Sequence, residues 1–368
     1  MHSDVILVIV VGTALVFDFT NGFHDTANVV ATAISTRAIS PRLAVALASI
    51  LNFIGAFVSL KVATTVAKGI VETSSVTTTI VFCGLIGAIS WNVATWYFGL
   101  PSSSSHALIG GLVGATFAAR GAQAVPGDGL LSKVVVPAVI APVLAFAVAA
   151  VAILVVYRIV GALRPGPVNR GFRLGQLGSA GLLALSHGTN DAQKTMGIIT
   201  LALVAHGDIA ARHFAVPDWV VISAASAIAL GTFSGGWRII RTLGSRIIKM
   251  DPAQGFAAQG AGATVILAAS HFGYPLSTTH VISGGIMGAG AAKRLSAVRW
   301  GVAGNIVVAW VLTLPAAALI GAGIWGLTRL FGTGALGPLV VALLLLGATA
   351  AVYARRVTRG STLTAASS

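Results

Sequence analysis

Two short polar stretches inside otherwise apolar sequence contain the residues best suited to ion chemistry. Residues 22–28 read G-F-H-D-T-A-N, and residues 188–194 read G-T-N-D-A-Q-K. Each stretch places an acid, Asp25 or Asp191, where the surroundings are expected to be hydrocarbon or protein interior. A carboxylate at the centre of a membrane helix costs about 2.5–3.5 kcal/mol even on lenient insertion scales. Both acids are therefore predicted to be functional.

Oxygen-rich or cationic side chains accompany both acids. They are His24, Asn28, Asn190 and Lys194. Carboxylate and amide oxygens suit hard cations such as sodium, and they suit a proton relay equally well. The structural alternative is that each Asp is the N-cap of a half-length helix. Because an anion would be repelled by two carboxylates, an anion-binding pocket here requires a cation or a proton as well.

Two hydroxyl clusters follow prolines and are typical of an oxyanion site. Residues 101–105 read P-S-S-S-S, and residues 275–279 read P-L-S-T-T. A helix that begins there presents free N–H groups and the positive end of its dipole to an anion. The alternative is that the hydroxyls bond to backbone carbonyls one turn earlier. Two such helix starts from opposite sides could enclose phosphate without an arginine.

The hydroxyl clusters belong to an internal repeat. Residues 101–115 align with residues 275–289, sharing the order proline, hydroxyls, histidine, paired glycines. Paired, short, Gly/Pro-interrupted segments in two halves of a chain indicate a transporter site near the membrane midplane. The repeat places His106 and His280 at equivalent positions, where they could be metal ligands, proton carriers or structural residues. Asp18, in the first apolar stretch, could be a third membrane acid or could reach the interface.

The composition assigns the chain to the membrane class. Of 368 residues, 56% are hydrophobic and 9% are charged, against about 25% charged in soluble domains. The net charge of +14 comes from basic loops between apolar runs. Such loops match the positive-inside bias and anionic lipid headgroups, so no nucleic-acid partner is expected. One cysteine excludes an intrachain disulfide, and the first apolar run is interpreted as a retained span rather than a signal peptide.

The expected fold is an all-α integral membrane protein with two repeats. The predicted divisions are a first repeat at 1–157, a basic cytoplasmic linker at 158–173, a second repeat at 174–327, and a last span with a basic tail at 328–368. Short helical hairpins are predicted at 101–119 and 275–292. Two further expectations are a helix break or bend at each polar stretch and a surface amphipathic helix at 237–250.

The motifs resemble those of the inorganic phosphate transporters of the Pit/PiT group, in its bacterial low-affinity Pit branch. The matching stretches are N-G-F-H-D-T-A-N, W-Y-F-G-L-P-S-S-S-S-H, S-H-G-T-N-D-A-Q-K and P-L-S-T-T-H-V. The resemblance implies about 10–12 transmembrane segments arranged as two inverted repeats with re-entrant helical hairpins. It also implies a multi-pass protein of the cytoplasmic membrane that carries out secondary transport of phosphate coupled to a cation.

The resemblance also assigns site residues. The family's phosphate contacts carry over onto Ser103, Ser104, Ser105, Ser277, Thr278 and Thr279. Its cation-site positions carry over onto Asp25, Asn28, Asn190 and Asp191. This chain departs from the sodium-coupled branch at four positions: His24 and Lys194 replace asparagines, and Asn52 and Gln259 replace glutamates. These departures favour the proton-coupled branch, which is described as carrying neutral metal–phosphate complexes.

The leading hypothesis is therefore a phosphate symporter driven by protons, in which the Lys194 ammonium takes the place of one sodium ion. A sodium-coupled symporter is the alternative, and an anion channel is less favoured because buried acids would oppose anion flow. No nucleophile–base motif of an enzyme occurs. No cofactor is expected; the cargo cation would be a proton, sodium or a divalent metal complexed with phosphate, and the sequence does not identify the metal. A homodimer is expected by analogy alone.

Overall fold

The computed structural model describes residues 2–210, 212, 214–332 and 334–347, and within these ranges the chain contains helices but no strand. In chain order the helices are α1 (His2–Ser35), α2 (Pro41–Gly55), α3 (Lys61–Gly69), α4 (Thr78–Phe98), α5 (Ser104–Arg120), α6 (Gly127–Leu130), α7 (Val136–Val160), α8 (Pro165–His206), α9 (Asp218–Ser234), α10 (Trp237–Arg241), α11 (Pro252–His271), α12 (Thr278–Ala291), α13 (Trp300–Arg329) and α14 (Leu336–Gly347). A π turn at Leu131–Val135 joins α6 to α7, and another at Thr242–Arg246 extends α10.

Several of these helices are long and apolar enough to cross a bilayer. Among the described residues, four pass by length and composition: Asp4–Ser35, Thr78–Phe98, Gly127–Val160 and Trp300–Arg329. Helix α9 and the α10 segment pass together as a pair bent by 59°. The expected all-α membrane architecture is confirmed. The predicted last span begins at Leu336, and its residues beyond 347, with the basic tail, lie outside the described residues.

The predicted break at each polar stretch is wrong, because both stretches lie inside continuous helices. Helix α1 runs through residues 22–28, and α8 runs for 42 residues through residues 188–194. Backbone hydrogen bonding therefore continues past both acids, so neither is an N-cap. Helix α8 also begins inside the predicted linker, so that only residues 161–164 separate α7 from α8.

The breaks before the two hydroxyl clusters occur where the sequence predicts them. Gly99 and Gly273 have φ values of 67° and 78°, in the left-handed region that favours glycine. Helix α5 then begins at Ser104 and helix α12 at Thr278. Both of these helices are short and almost entirely buried, so their first turns lie inside the protein.

The helix packing repeats between the two halves. Helix α1 packs on α4 and α9, as α8 packs on α11 and α2. Helix α5 packs on α4 and α13, as α12 packs on α11 and α7. Each hairpin helix thus packs against the last long helix of the other half, so the two halves are interleaved. The inverted relation between the halves stays a prediction.

Glycines allow these hairpin contacts to be made backbone to backbone. A Cβ added at Gly114 of α5 would lie 2.0 Å from the Ala318 carbonyl oxygen of α13. A Cβ added at the equivalent Gly288 of α12 would lie 2.1 Å from the Phe146 carbonyl oxygen of α7. Real Cβ atoms do not approach backbone oxygens so closely, so a side chain at either position must push the two helices apart.

We expect Gly114→Ala to lower the thermal unfolding midpoint of the purified protein, because overpacking of this kind typically costs about 1–3 kcal/mol. Gly323→Ala on α13 is the matched control, since nothing lies within 4 Å of its added Cβ. Alanine is intrinsically better than glycine in a helix, so the control should unfold at the same temperature or higher. Equal midpoints for the two variants would contradict the close helix contact.

Candidate functional site

The two acidic positions, far apart in sequence, meet at the centre of the structure. Asp25 on α1 and Asp191 on α8 form a cluster with His187, and their ligand atoms all lie within 4.8 Å of one another. All three residues are at most 1% exposed. Both hairpin helices begin beside this cluster and direct hydroxyl groups at it. The site therefore contains charged groups from both halves of the chain.

Asp25 accepts hydrogen bonds from both hairpins. The Ser104 hydroxyl at the start of α5 donates to Oδ2 at 2.6 Å, and the Thr279 hydroxyl of α12 donates to Oδ1 at 3.4 Å. The ring Nδ1 of His24 lies 2.7 Å from Oδ1. Asn28 Nδ2 donates to the Thr279 hydroxyl at 2.9 Å. The carboxyl group thus joins α1 to the first turns of α5 and α12.

Asp191 is paired with a buried cation. Lys194, one turn further along α8, forms an ion pair with Oδ1, and its side chain is only 1% exposed. The Nε2 atom of His187 lies 2.9 Å from Oδ2, to which the Thr278 hydroxyl donates at 3.1 Å. Two unit charges about 4 Å apart interact by about 4 kcal/mol at an effective dielectric constant of 20, and the charges of this ion pair are closer than that. The ammonium therefore offsets much of the repulsion between the two carboxylates.

The Lys194 ammonium is surrounded by oxygen atoms. Besides the Asp191 carboxylate, it donates to the Leu276 carbonyl oxygen at 2.7 Å and to the Ser105 hydroxyl at 2.5 Å. A lysine ammonium has three N–H donors, so all three are used. Ser105 in turn donates to the same Leu276 carbonyl at 3.1 Å. The ammonium therefore connects α8 to both hairpins.

Two of the six predicted phosphate residues have a different local role. The Ser103 hydroxyl accepts from the backbone N–H of His106 at 3.1 Å, and the Ser277 hydroxyl accepts from that of His280 at 3.3 Å. They are the N-caps of α5 and α12. The other four, Ser104, Ser105, Thr278 and Thr279, contact the acids or Lys194.

The predicted amides divide between the cluster and its surroundings. Asn52 places Oδ1 3.3 Å from Nδ1 of His187, so it lies behind the histidine that contacts Asp191. Asn190 instead donates to Ser270 and to the Tyr274 carbonyl, at the break before α12. Gln259 bonds to Ser179 and Thr32. The structure therefore joins Asn52 to the site indirectly, through His187. Asn190 and Gln259 bond to neighbouring helices, and their predicted roles in the site stay predictions.

The predicted histidine pair forms a contact between the hairpins. The rings of His106 and His280 meet edge to face with centroids 4.7 Å apart. The His280 ring also stacks on Trp310 at 4.1 Å, and its Nδ1 lies 3.3 Å from the Ala138 carbonyl oxygen. Asp18, the remaining predicted residue, is fully buried on α1 and does not reach solvent in this structure.

Sequence reasoning missed His187 and Thr95. His187 precedes Asp191 by four residues, a spacing that puts both side chains on one face of a helix. This spacing would have predicted the contact if α8 had been expected to be continuous. Thr95 on α4 lies 3.2 Å from Nε2 of His24 and accepts from Ser102 at 2.8 Å. Its position could not be predicted, because it is separated from His24 by 71 residues.

A buried cluster of acids, cations and hydroxyls, enclosed by two hairpin starts in an all-helical membrane protein, defines a solute-transporter site. Comparison with known proteins identifies the kind of transporter. Residues 21–321 match the profile of the phosphate transporter family, so the chain belongs to that family. The resemblance to the Pit group is confirmed.

Individual relatives agree with the family assignment. The chain is 54% identical over 345 residues to a probable low-affinity inorganic phosphate transporter of Mycobacterium tuberculosis (strain ATCC 25618 / H37Rv), covering 94% of this chain and 83% of the relative. It is 42% identical over 320 residues to a protein of the same name from Bacillus subtilis (strain 168), covering 86% and 96%. A solved structure titled the sodium-dependent phosphate transporter matches with a TM-score of 0.81 at 26% identity, covering 88% of this chain and 99% of that one.

These findings establish the general function. The chain is a multi-pass membrane transporter of inorganic phosphate. Because its relatives are transporters, the expectation that it is not an enzyme is confirmed.

Proposed function

We propose that this chain is a symporter that takes up inorganic phosphate with protons, and that the Lys194 ammonium replaces one sodium ion of the sodium-coupled branch. The observation that supports this most directly is the set of oxygens around Nζ. They come from a carboxylate, a backbone carbonyl and a hydroxyl: Asp191, Leu276 and Ser105. Such an oxygen set also suits a hard monovalent cation. A tethered ammonium neutralises the site permanently and leaves protons to drive uptake.

Phosphate is proposed to bind at the first turns of α5 and α12. Ser104 and Thr278 donate to the two acids in this structure, and on binding they would redirect these hydrogen bonds to phosphate oxygens. The N-caps Ser103 and Ser277 hold the helix starts in place, so that the backbone N–H groups and the helix dipoles face the anion. Lys194 then supplies the positive charge, and Asp25 with Asn28 and His24 positions the hydroxyl of Thr279.

A second candidate is transport of a neutral metal–phosphate complex. The cluster of Asp25, His187 and Asp191 offers one imidazole nitrogen and two carboxylate oxygens within 4.8 Å of one another. Imidazole and carboxylate are common ligands for divalent ions. The metal would be part of the cargo in this case and not a resident cofactor.

The homodimer expected by analogy stays a prediction.

The deciding experiment is phosphate uptake by the purified protein in sealed vesicles, with the pH gradient, sodium and magnesium varied independently. A pH gradient alone, without sodium, is expected to drive accumulation. Strict dependence on sodium would overturn proton coupling. Stimulation that requires magnesium would favour the metal–phosphate complex. Trans-stimulated exchange of labelled phosphate is expected as well, since a channel does not show it.

A further inference from the structure

Helix α1 carries a third buried acid that the phosphate and ammonium contacts do not use. Asp18 lies two turns before Asp25 and is 0% exposed. Among the described residues, neither of its carboxylate oxygens makes a hydrogen bond of ordinary geometry, although Asn21 and Thr195 lie close enough to interact with the group. A buried carboxylate that lacks good partners costs several kcal/mol in its charged form. A purely structural role therefore does not explain why this buried position is occupied by an acid.

The polar groups beside Asp18 are also incompletely bonded. Asn21 of α1 and Thr195 of α8 lie next to the carboxyl group. Asn21 Oδ1 and Thr195 Oγ1 have no hydrogen-bond partner among the described residues either. The four unpartnered atoms are all oxygens, and the threonine hydroxyl supplies one hydrogen among them. One added proton would complete the set: the carboxyl group could donate to Asn21 while Thr195 donates to the carboxyl group.

Two charged groups of α8 lie close enough to act on Asp18. They are Asp191 and Lys194, the ion pair of the phosphate site. Helix α9 has one acid, Asp218, in its exposed first turn. The Cys83 thiol of α4 lies against Thr328 on α13. Asp18 is thus linked electrostatically to the Lys194 ammonium, and so to whatever that ammonium binds.

We propose that Asp18 is the group that carries the transported proton, a role that rests on the proposed proton symport. The proton adds to a carboxylate oxygen of Asp18 from the outer solution and leaves to the cytoplasm, and no other bond is made or broken. With phosphate bound, the anion neutralises Lys194, so that nothing draws the proton off Asp18. After phosphate leaves, the charge of the Lys194 ammonium is no longer offset by the anion, so it favours the Asp18 carboxylate and the proton is released. Binding of phosphate and of the proton are thereby coupled, each favouring the other.

The test is Asp18→Asn, which mimics the neutral acid permanently. Reconstituted in vesicles, this variant is expected to lose phosphate accumulation driven by a pH gradient. It should retain trans-stimulated exchange of labelled phosphate, which requires no net proton movement. Asp218→Asn, an exposed acid outside the site, is the control and should accumulate phosphate as the unmodified protein does.

Other results would overturn the inference. Accumulation by Asp18→Asn equal to that of the unmodified protein would do so, as would loss of both accumulation and exchange in a variant with an unchanged unfolding temperature. If phosphate uptake by the unmodified protein required sodium, the proposed proton symport itself would be wrong. That result is distinct from a failure of the Asp18 proposal alone. Thr195→Val provides a second measurement if Asp18→Asn does not fold. A hydroxyl donor stabilises a carboxylate more than a neutral carboxyl group, so without the Thr195 hydroxyl half-maximal uptake should shift to higher pH, and an unshifted profile would contradict the role of Asp18.

Discussion

Replacing Lys194 with asparagine is expected to reduce sodium-free phosphate uptake by about 100-fold or more. The substitution leaves the Asp191 carboxylate buried without its cation, and loss of one partner of a buried pair typically costs about 3–5 kcal/mol. It also leaves an uncompensated negative charge where phosphate must bind. Because asparagine is the residue of the sodium-coupled branch at this position, sodium is expected to restore part of the uptake. Initial uptake rates with and without sodium, at fixed pH gradient, measure both effects.

Two controls separate charge from folding. Lys249→Asn removes an exposed lysine outside the site and should leave uptake unchanged. The double variant Asp191→Asn with Lys194→Asn removes both charges, so its unfolding temperature should recover relative to Lys194→Asn, while uptake should stay low. Full sodium-free uptake by Lys194→Asn would rule out the replacement of sodium by the ammonium.

Ser104→Ala is expected to raise the KM for phosphate by about tenfold or more, because a hydrogen bond to a charged group typically contributes about 1.5–3 kcal/mol. The matched variant is Ser103→Ala, one residue earlier. Its hydroxyl caps α5, so its loss should lower stability by about 1 kcal/mol while changing KM about twofold at most. Phosphate dependence of uptake gives the KM values, and thermal unfolding gives the stabilities.

The second half of the chain offers an independent repetition of this comparison. Thr278→Val removes a hydroxyl that donates to Asp191, and Ser277→Ala removes the cap of α12. The same division into a KM effect and a stability effect is expected. A larger KM change at Ser103 and Ser277 than at Ser104 and Thr278 would reverse the proposed roles of caps and ligands.

The helix starts at the two hairpins were predictable because their signals are local. Glycine at positive φ, a following proline and a capping serine lie within five residues, as at Gly99, Pro101 and Ser103. The unbroken course of α1 and α8 was not predictable in the same way. A polar residue inside an apolar run favours a break only if its side chain lacks partners. The hydroxyl groups that donate to Asp25 and Asp191 come from hairpins 79 or more residues away.

For the candidate site, too, the local features could be predicted from the sequence, whereas the contacts that depend on packing could not. The residue types and the pairing of the two polar stretches were visible in the sequence, as was the cation character of Lys194. The difference between the capping hydroxyl of Ser103 and the Ser104 hydroxyl that donates to Asp25 was not visible, because it depends on which way each hydroxyl points at the first turn. The partners of Asn190 and Gln259 on α11 and α1 were likewise beyond reach, since they depend on helix packing.

The interleaving of the two halves bears on how the protein is made. Helix α5, which carries Ser104 and Ser105, packs on α13, and α13 is among the last long segments to leave the ribosome. The backbone of α13 must then pack against Gly110 and Gly114, so closely that no side chain would fit at either position. A nascent chain stopped before residue 300 would therefore contain Asp25, Asp191 and all six hydroxyl residues, yet would lack α13, one of the two helices on which α5 packs. We therefore expect the transporter to become functional only after α13 has been inserted.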